Sequence, residues 1–285
     1  MSATIRSSLT SVLDQLDDRF EVIVVDDGSS DNSISIILDL CRIYPNLRLI
    51  PLQRDNRRKL GQTRNLSIRA ARGEFCILHI DCDDIWQPYI QTFTKVFHEI
   101  HRRLLLSDFM LSGVQIQMAP KSLLIQYPYP NIYYTEDRRM WAQLTIAGKL
   151  LILNHTPFRD RIPLSSTTQT IQKLLRSEYS GIEATFASTP SPFQTFLQYL
   201  HSIFRLTPND TPALSCRLRL FRLFLLPFTL LTGLTLRREA PINQPKAGYK
   251  FLNHICLRSL EASTQSTHGN LPLSPTERSL FRLDP

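Results

Sequence analysis

Phe75-Cys-Ile-Leu-His-Ile-Asp-Cys-Asp-Asp-Ile-Trp86 is an apolar run that ends abruptly in three carboxylates, Asp81, Asp83 and Asp84. The part from Phe75 to Ile80 is short, rich in bulky apolar residues and bounded by Gly73 before and acids after, which predicts a buried strand. The acids then stand at its carboxyl end. In an open α/β sheet that edge faces the ligand crevice, because strands stop there and helix N-termini point into it. An Asp-x-Asp pair in that place suits a divalent cation, since hard cations take carboxylate oxygens and keep further positions for substrate phosphates. Two plainer readings stand beside it: Asp84 as the N-cap of a helix from about Pro88, and acids that serve only a turn.

A second copy of the pattern lies upstream. Phe20-Glu-Val-Ile-Val-Val25 is another apolar strand, and Asp26-Asp27-Gly28-Ser29-Ser30-Asp31-Asn32-Ser33 follows it as turn and helix cap, leading into Ile34, Ile37, Leu38 and Cys41 at helical spacing. Two strands therefore deliver paired aspartates to what should be one edge. Around them, Ile5 to Leu16 predicts an amphipathic helix, Leu47 to Leu52 a strand, Gln62 to Ala71 a helix closed by Arg72-Gly73, and Pro88 to about Arg103 another helix. This βαβα alternation predicts a mostly parallel sheet with helices on both faces.

Composition fits that frame. The 285 residues can bury a full core and can divide in two, and the 42% hydrophobic and 20% charged fractions are those of a globular chain. Cys41, Cys76, Cys82, Cys216 and Cys256 show no Cys-x-x-Cys spacing, which points to a reducing compartment and away from structural zinc. The N-terminus has no positive segment leading into an apolar one, so no signal peptide is expected and the expected location is cytoplasmic. The net charge of +8 favours anionic partners such as phosphates or a membrane surface. Nucleic acid is a poor fit, because the arginines cluster around apolar residues and not along a polar face.

The motifs resemble glycosyltransferase family 2, nucleotide-sugar-dependent enzymes of the Rossmann-like GT-A fold. Val24-Val-Asp-Asp-Gly-Ser-Ser-Asp-Asn-Ser33 is similar to the family's first signature, and Gly61-Gln-Thr-Arg-Asn65 with Ala70-Ala-Arg-Gly-Glu-Phe75 to its second. Ile80-Asp-Cys-Asp-Asp-Ile-Trp86 is similar to its metal-binding Asp-x-Asp block. The resemblance implies that Asp26 or Asp27 contacts the donor's base and ribose, that Arg64 lies near its phosphates, that Asp81 holds the ribose or the metal's water shell, and that Asp83 ligates manganese or magnesium. It also implies a strand ahead of the helix at Ile5, ending in a turn that packs on the nucleotide base, and this chain opens without it.

The next segment has to supply the acceptor side. Leu104 to Met118 holds two apolar stretches that read as strands, and Gln126-Tyr-Pro-Tyr-Pro-Asn-Ile-Tyr-Tyr134 reads either as a sugar-stacking loop or as a rigid packed one. Thr135 can cap a helix that turns Met140, Trp141, Leu144 and Ala147 inward and stops at Gly148. Thr135-Glu-Asp137 resembles the family's third signature, which makes Asp137 the expected general base and Glu136 the second choice. A carboxylate suits that task, because an acceptor hydroxyl must lose its proton as it attacks. The resemblance implies a one-step displacement that inverts the anomeric centre.

Beyond Pro163 the resemblance fades. The expected division is a nucleotide-sugar-binding half over 1–105, an acceptor and base half over 106–163, a helical extension over 164–260, and a mobile tail over 261–285 rich in Ser, Thr and Pro. Phe224 to Leu236 is uncharged but only 13 residues long, short of the roughly 20 a bilayer span needs. With arginines on both sides, 214–238 reads either as a segment lying in a membrane interface, at the inner face of the cell membrane, or as a helical hairpin packed on the main domain. Expected partners are a nucleotide-diphosphate sugar and a glycan, lipid-linked or small-molecule acceptor. Two rival readings are a phospho-receiver domain, for which no convincing lysine is present, and a truncated module that binds nucleotide sugar without turnover.

Overall fold

The computed structural model describes residues 2–78, 80–132, 136–162 and 253–283, with isolated helical positions at 197, 200, 220, 223, 224 and 227. The expected helical extension before residue 253 and its segment at 214–238 lie outside these residues, those isolated positions apart. No helix among the described residues is long and apolar enough to cross a membrane.

Helix α1 (Ile5–Leu13) buries Ile5, Leu9, Val12 and Leu13 on one face, and it stops at Asp14, short of the expected Leu16. Strand β1 (Val22–Asp26) is followed by α2 (Ser33–Ile43) and β2 (Leu47–Pro51), which pairs with β1 in parallel. Leu38 was expected to face inward; it is 49% exposed and Leu40, at 2%, takes its place. The buried face of α2 runs through Ser33, Ile37 and Leu40, spaced four and three residues apart, so Leu38 is a quarter-turn away from it. Then come α3 (Leu60–Ala70), β3 (Phe75–Leu78), the short β4 (Asp84–Trp86), and α4 (Ile90–Leu104), whose Phe93, Val96, Phe97 and Ile100 are completely buried.

The remaining elements are β5 (Met110–Ser112), β6 (Gln117–Pro120), α5 (Lys121–Gln126), α6 (Glu136–Ile146), β7 (Leu150–Leu153), β8 (Arg159–Arg161), β9 (Asn253–Ile255), α7 (Leu257–His268) and α8 (Pro275–Leu280). The main sheet has the order β3-β6-β5-β7-β9. Pairs β5–β7 and β7–β9 are parallel, but β6 runs against both its neighbours. The sheets thus carry the expected parallel pairs, β1–β2, β5–β7 and β7–β9, with β6 as the one reversed strand of the main sheet. The cause is the tight turn after β5, closed by Gly113 N–H to the Ile116 carbonyl at 2.9 Å, since a connection that short can join only antiparallel strands.

Alternation along the strands builds two cores, one on each face of the sheet. Phe75, Ile77, Met118, Leu151 and Leu153 pack with α1, α4 and the C-terminal helices, while Cys76, Leu78, Ala119 and Leu150 pack with α3, α5 and α6. Met140 and Leu144 are buried in the second core as expected, whereas Ala147 is exposed just before Gly148, which takes φ +68° to end α6.

The C-terminus corrects two expectations. Residues 253–260 do not belong to a separate extension, because β9 is the edge strand of the main sheet and Leu257 and Leu260 enter its core. The stretch after 261 is not a mobile tail either: Leu271, Leu280, Phe281 and Leu283 are all buried in the same core. Its Ser and Pro content serves the structure, since Ser274 and Glu277 form a capping box for α8 with Pro275 inside the first turn. Composition signalled disorder because the few apolar residues are spread among polar ones, yet Leu271, Leu273, Leu280, Phe281 and Leu283 all join the core that α4 enters.

One part of the sheet is open. Among the described residues β1 pairs only with β2, and β3 only with β6, so the two strands that carry the aspartates do not pair with each other. The backbone groups of Val22 and Asp26 face β2 and those of Glu74 face β6, so by alternation those of Ile23, Val25, Phe75 and Ile77 face the gap. A cleft of about 1950 Å3 lies there, lined by α1, β1, β3, α3 and α4, and Val22 to Val25 stay only half-buried despite their apolar sequence.

Candidate active site

The carboxyl ends of β1 and β3 bring the aspartates to one edge of the cleft, where Asp26, Asp27, Arg64, Asp81 and Asp83 all line it. Asp26 is buried, and its Oδ2 accepts N–H bonds from Gly28 at 3.1 Å and Ser29 at 2.9 Å, closing the turn after β1. Gly28 has φ +76°, and a Cβ there would stand 2.8 Å from the Arg54 backbone nitrogen, so only glycine fits. Asp27 turns outward and accepts from Arg58 Nε at 2.7 Å, which ties the loop after β2 to this edge.

After β3 the backbone is held from two sides. Thr4 Oγ1 donates to the Cys82 carbonyl at 3.0 Å, Ser8 Oγ to that of Asp81 at 3.1 Å, and Ile162 N–H to that of Asp83 at 2.8 Å. The carboxylates of Asp81, Asp83 and Asp84 each offer an oxygen, and these oxygens lie within 4.8 Å of one another. Asp84 is not a helix cap; it lies in β4, opposite Arg161 of β8, and α4 starts only at Ile90. Arg159 Nη1 donates to Asp84 Oδ2 at 2.6 Å, and Arg161 Nη2 lies 3.2 Å from Asp81 Oδ2 and 3.5 Å from Asp83 Oδ1. Burial raises the Asp84 carboxyl above its ordinary range and Arg159 opposes that rise. The half-buried Cys82 thiol, amid these carboxylates, is pushed up to about 11 by desolvation and by the neighbouring negative charge.

The Gly61-Gln-Thr-Arg-Asn65 run now has a physical account. A Cβ on Gly61 would lie 1.8 Å from the Pro130 carbonyl oxygen, so glycine lets the Tyr- and Pro-rich loop lie directly on α3. Asn65 clamps that loop, donating to the Tyr129 carbonyl at 2.8 Å and accepting its N–H at 3.0 Å. Arg64 stands over the Tyr129 ring at 5.5 Å and links two acids, Glu136 at 3.2 Å and Asp81 at 3.7 Å. Tyr129 is buried, so this part of the loop packs and does not stack on a free sugar. Tyr133 to Thr135, including the expected cap, lie outside the described residues.

The first turn of α6 presents its two acids differently. Glu136 is 3% exposed, and burial raises its carboxyl while Arg64 opposes the rise. Asp137 is half-buried and accepts the Arg138 N–H at 2.7 Å. Arg64 thus joins the acids after β3 to the start of α6, although 55 residues separate Asp81 from Glu136 in the sequence. Sequence reasoning missed Arg159 and Arg161. Their alternation in β8 was a visible signal, but nothing local pairs them with acids more than seventy residues upstream.

A family model described as glycosyl transferase family 2 matches residues 2–150, more than half of the chain. The chain belongs to glycosyl transferase family 2. Among curated relatives of this member, an uncharacterized glycosyltransferase of Nostoc sp. is 35% identical over 91 residues, 32% of this chain and 27% of the relative. The putative glycosyltransferase EpsH of Bacillus subtilis is 39% identical over 84 residues, 30% of this chain and 23% of EpsH. WfaP of Escherichia coli, a UDP-Glc:alpha-D-GlcNAc-diphosphoundecaprenol beta-1,3-glucosyltransferase, is 27% identical over 118 residues, 39% of this chain and 45% of WfaP. The chain therefore spans less than half the length of these relatives. The solved mannosyltransferase PcManGT from Pyrobaculum calidifontis, in complex with GDP-Man and Mn2+, matches with TM-score 0.49 and 14% identity, over 99% of this chain and 80% of that one.

Proposed function

We propose that this family 2 member transfers a sugar from a nucleotide-diphosphate donor to an acceptor hydroxyl, with a divalent cation held by Asp83 and Asp81. The observation that carries this reading is the group of three carboxylates at the end of β3, tied through Arg64 to the acids that open α6. The donor set fits manganese or magnesium, since it is all hard oxygen and sits at an edge with room for phosphate ligands. Bound there, the cation would neutralise the charge that develops on the departing nucleoside diphosphate.

In this reading Asp27 and the turn closed by Asp26 receive the base and ribose, and Arg64 gives positive charge beside the diphosphate. Asp137 takes the proton of the acceptor hydroxyl, because its carboxylate is more accessible than that of Glu136, which is spent on Arg64. Glu136 then acts by fixing Arg64. Attack from the side opposite the leaving diphosphate inverts the anomeric centre. A glycan or lipid-linked acceptor is supported by WfaP, whose substrate is a diphosphoundecaprenol-linked sugar.

Calorimetric titration with nucleotide sugars, with and without Mn2+, tests this. Asp83→Asn should lose the Mn2+-dependent part of donor binding, while Asp137→Asn should bind donor normally and lose transfer. Full transfer by Asp137→Asn would remove it from the role of base, and donor binding indifferent to Mn2+ would remove the cation.

A further inference from the structure

The strand β8 lays two arginines across the carboxylates of the proposed cation site, and they are not equivalent. Arg159 is fixed: its side chain is 11% exposed, it bonds the fully buried Asp84 at 2.6 Å, it takes Gln115 Oε1 at 3.0 Å, and it lies over the Trp86 ring at 5.6 Å. Arg161 is half-exposed, and its guanidinium reaches all three acids, with 3.2 Å to Asp81, 3.5 Å to Asp83 and 3.3 Å from Nε to Asp84. A monovalent cation on a flexible stem thus sits where the three carboxylate oxygens converge.

Resting on the cation reading above, we infer that Arg161 is a built-in competitor for the divalent cation. It neutralises Asp81 and Asp83 while the site is empty, and leaves them when the cation arrives. Like-charged groups a few ångströms apart repel, so guanidinium and divalent cation cannot both occupy the point of convergence. The contacts of a half-exposed arginine are weak enough to be exchanged. Arg159 stays and keeps Asp84 paired, so Asp84 remains a support of the site while Asp81 and Asp83 turn to the cation. Arg161 has room to move, because β4 and β8 are joined through their backbones and Ile162 N–H anchors the strand to the Asp83 carbonyl whatever the arginine does.

The test is Mn2+ titration of the full chain by calorimetry, without donor, on the parent protein, Arg161→Gln and Arg161→Lys. Arg161→Gln should bind Mn2+ about tenfold more tightly, the scale set by the loss of a few half-exposed ion pairs. Arg161→Lys should fall between the two, because lysine keeps the charge but cannot bridge three carboxylates. Thermal midpoints are taken alongside. If Arg161 only braced the fold, its replacement would lower the midpoint and leave Mn2+ affinity equal or weaker, and that result would overturn the inference. If all three proteins fold and none binds Mn2+, the cation reading itself falls and takes this one with it; if all bind equally, the cation reading stands and the competitor is disproved.

Discussion

Removing Arg64 should expose how the two halves of the site are joined. Its guanidinium is 20% exposed and lies 3.2 Å from a Glu136 carboxylate that is 4% exposed, with Asp81 a more open second partner at 3.7 Å. Taking one member from a buried pair leaves the other charged and unpaired, at roughly 3–5 kcal/mol. Because Arg64 keeps some solvent, we expect the lower end, about 3 kcal/mol for Arg64→Met. Replacing both partners, as Arg64→Met with Glu136→Gln, should cost less than the sum of the single changes by about 2 kcal/mol. The loss should also depend on pH. Burial raises the Glu136 carboxyl and Arg64 opposes the rise, so in Arg64→Met it rises further. A carboxyl raised on folding contributes stability at acid pH that is lost as pH climbs through its folded value. The gap between parent and Arg64→Met should therefore be small in acid and widen toward neutrality. Urea unfolding of the four proteins near pH 4.5 and about pH 7.5 measures both effects. Single changes that add to within about 0.5 kcal/mol, or a gap that does not change with pH, would refute the buried link.

Three further outcomes follow from the packing. Gly61→Ala should destabilise by about 2–3 kcal/mol, because its Cβ meets the Pro130 carbonyl. Hydrogen exchange should then quicken at the Tyr129 amide that Asn65 holds, and a neutral Gly61→Ala would mean that the loop does not lie on α3. Phe281→Ala should lose about 3–5 kcal/mol in urea unfolding, as its ring is 3% exposed in the main core, whereas an unpacked tail would show no change. Joining five extended β-branched residues ahead of Ser2 should fill the gap between β1 and β3. A gain of about 2 kcal/mol would raise the thermal midpoint by about 4 °C or more in a chain of this size. The same extension with a central proline should not, since it lacks the backbone donor. Equal shifts from both would show that the gap does not accept a strand.

The local patterns were sufficient where the physics is local. The run Phe75 to Leu78 is a strand, the helix faces of α1 and α4 follow from 3.6-residue spacing, and the acids stand where strands end, because side-chain periodicity and turn chemistry act over a few residues. The three motifs also carry the family's signature, because each is a short run of neighbouring residues.

Only the tertiary structure decided the rest, and each case involves a partner far along the chain. The sheet is mixed because a single tight turn reverses β6, which no periodicity records. The C-terminal residues are core because they join the apolar cluster on one face of the main sheet, while their own composition reads as solvent-loving. Glu136 and Asp137 are adjacent and alike in sequence, and folding separates them by burying one against Arg64 and leaving the other accessible. The role of Arg161 was not legible despite its alternation with Arg159, because a charge acquires its meaning from what stands opposite, and the pairing of β4 with β8 that brings it to Asp81, Asp83 and Asp84 exists only once the chain has folded.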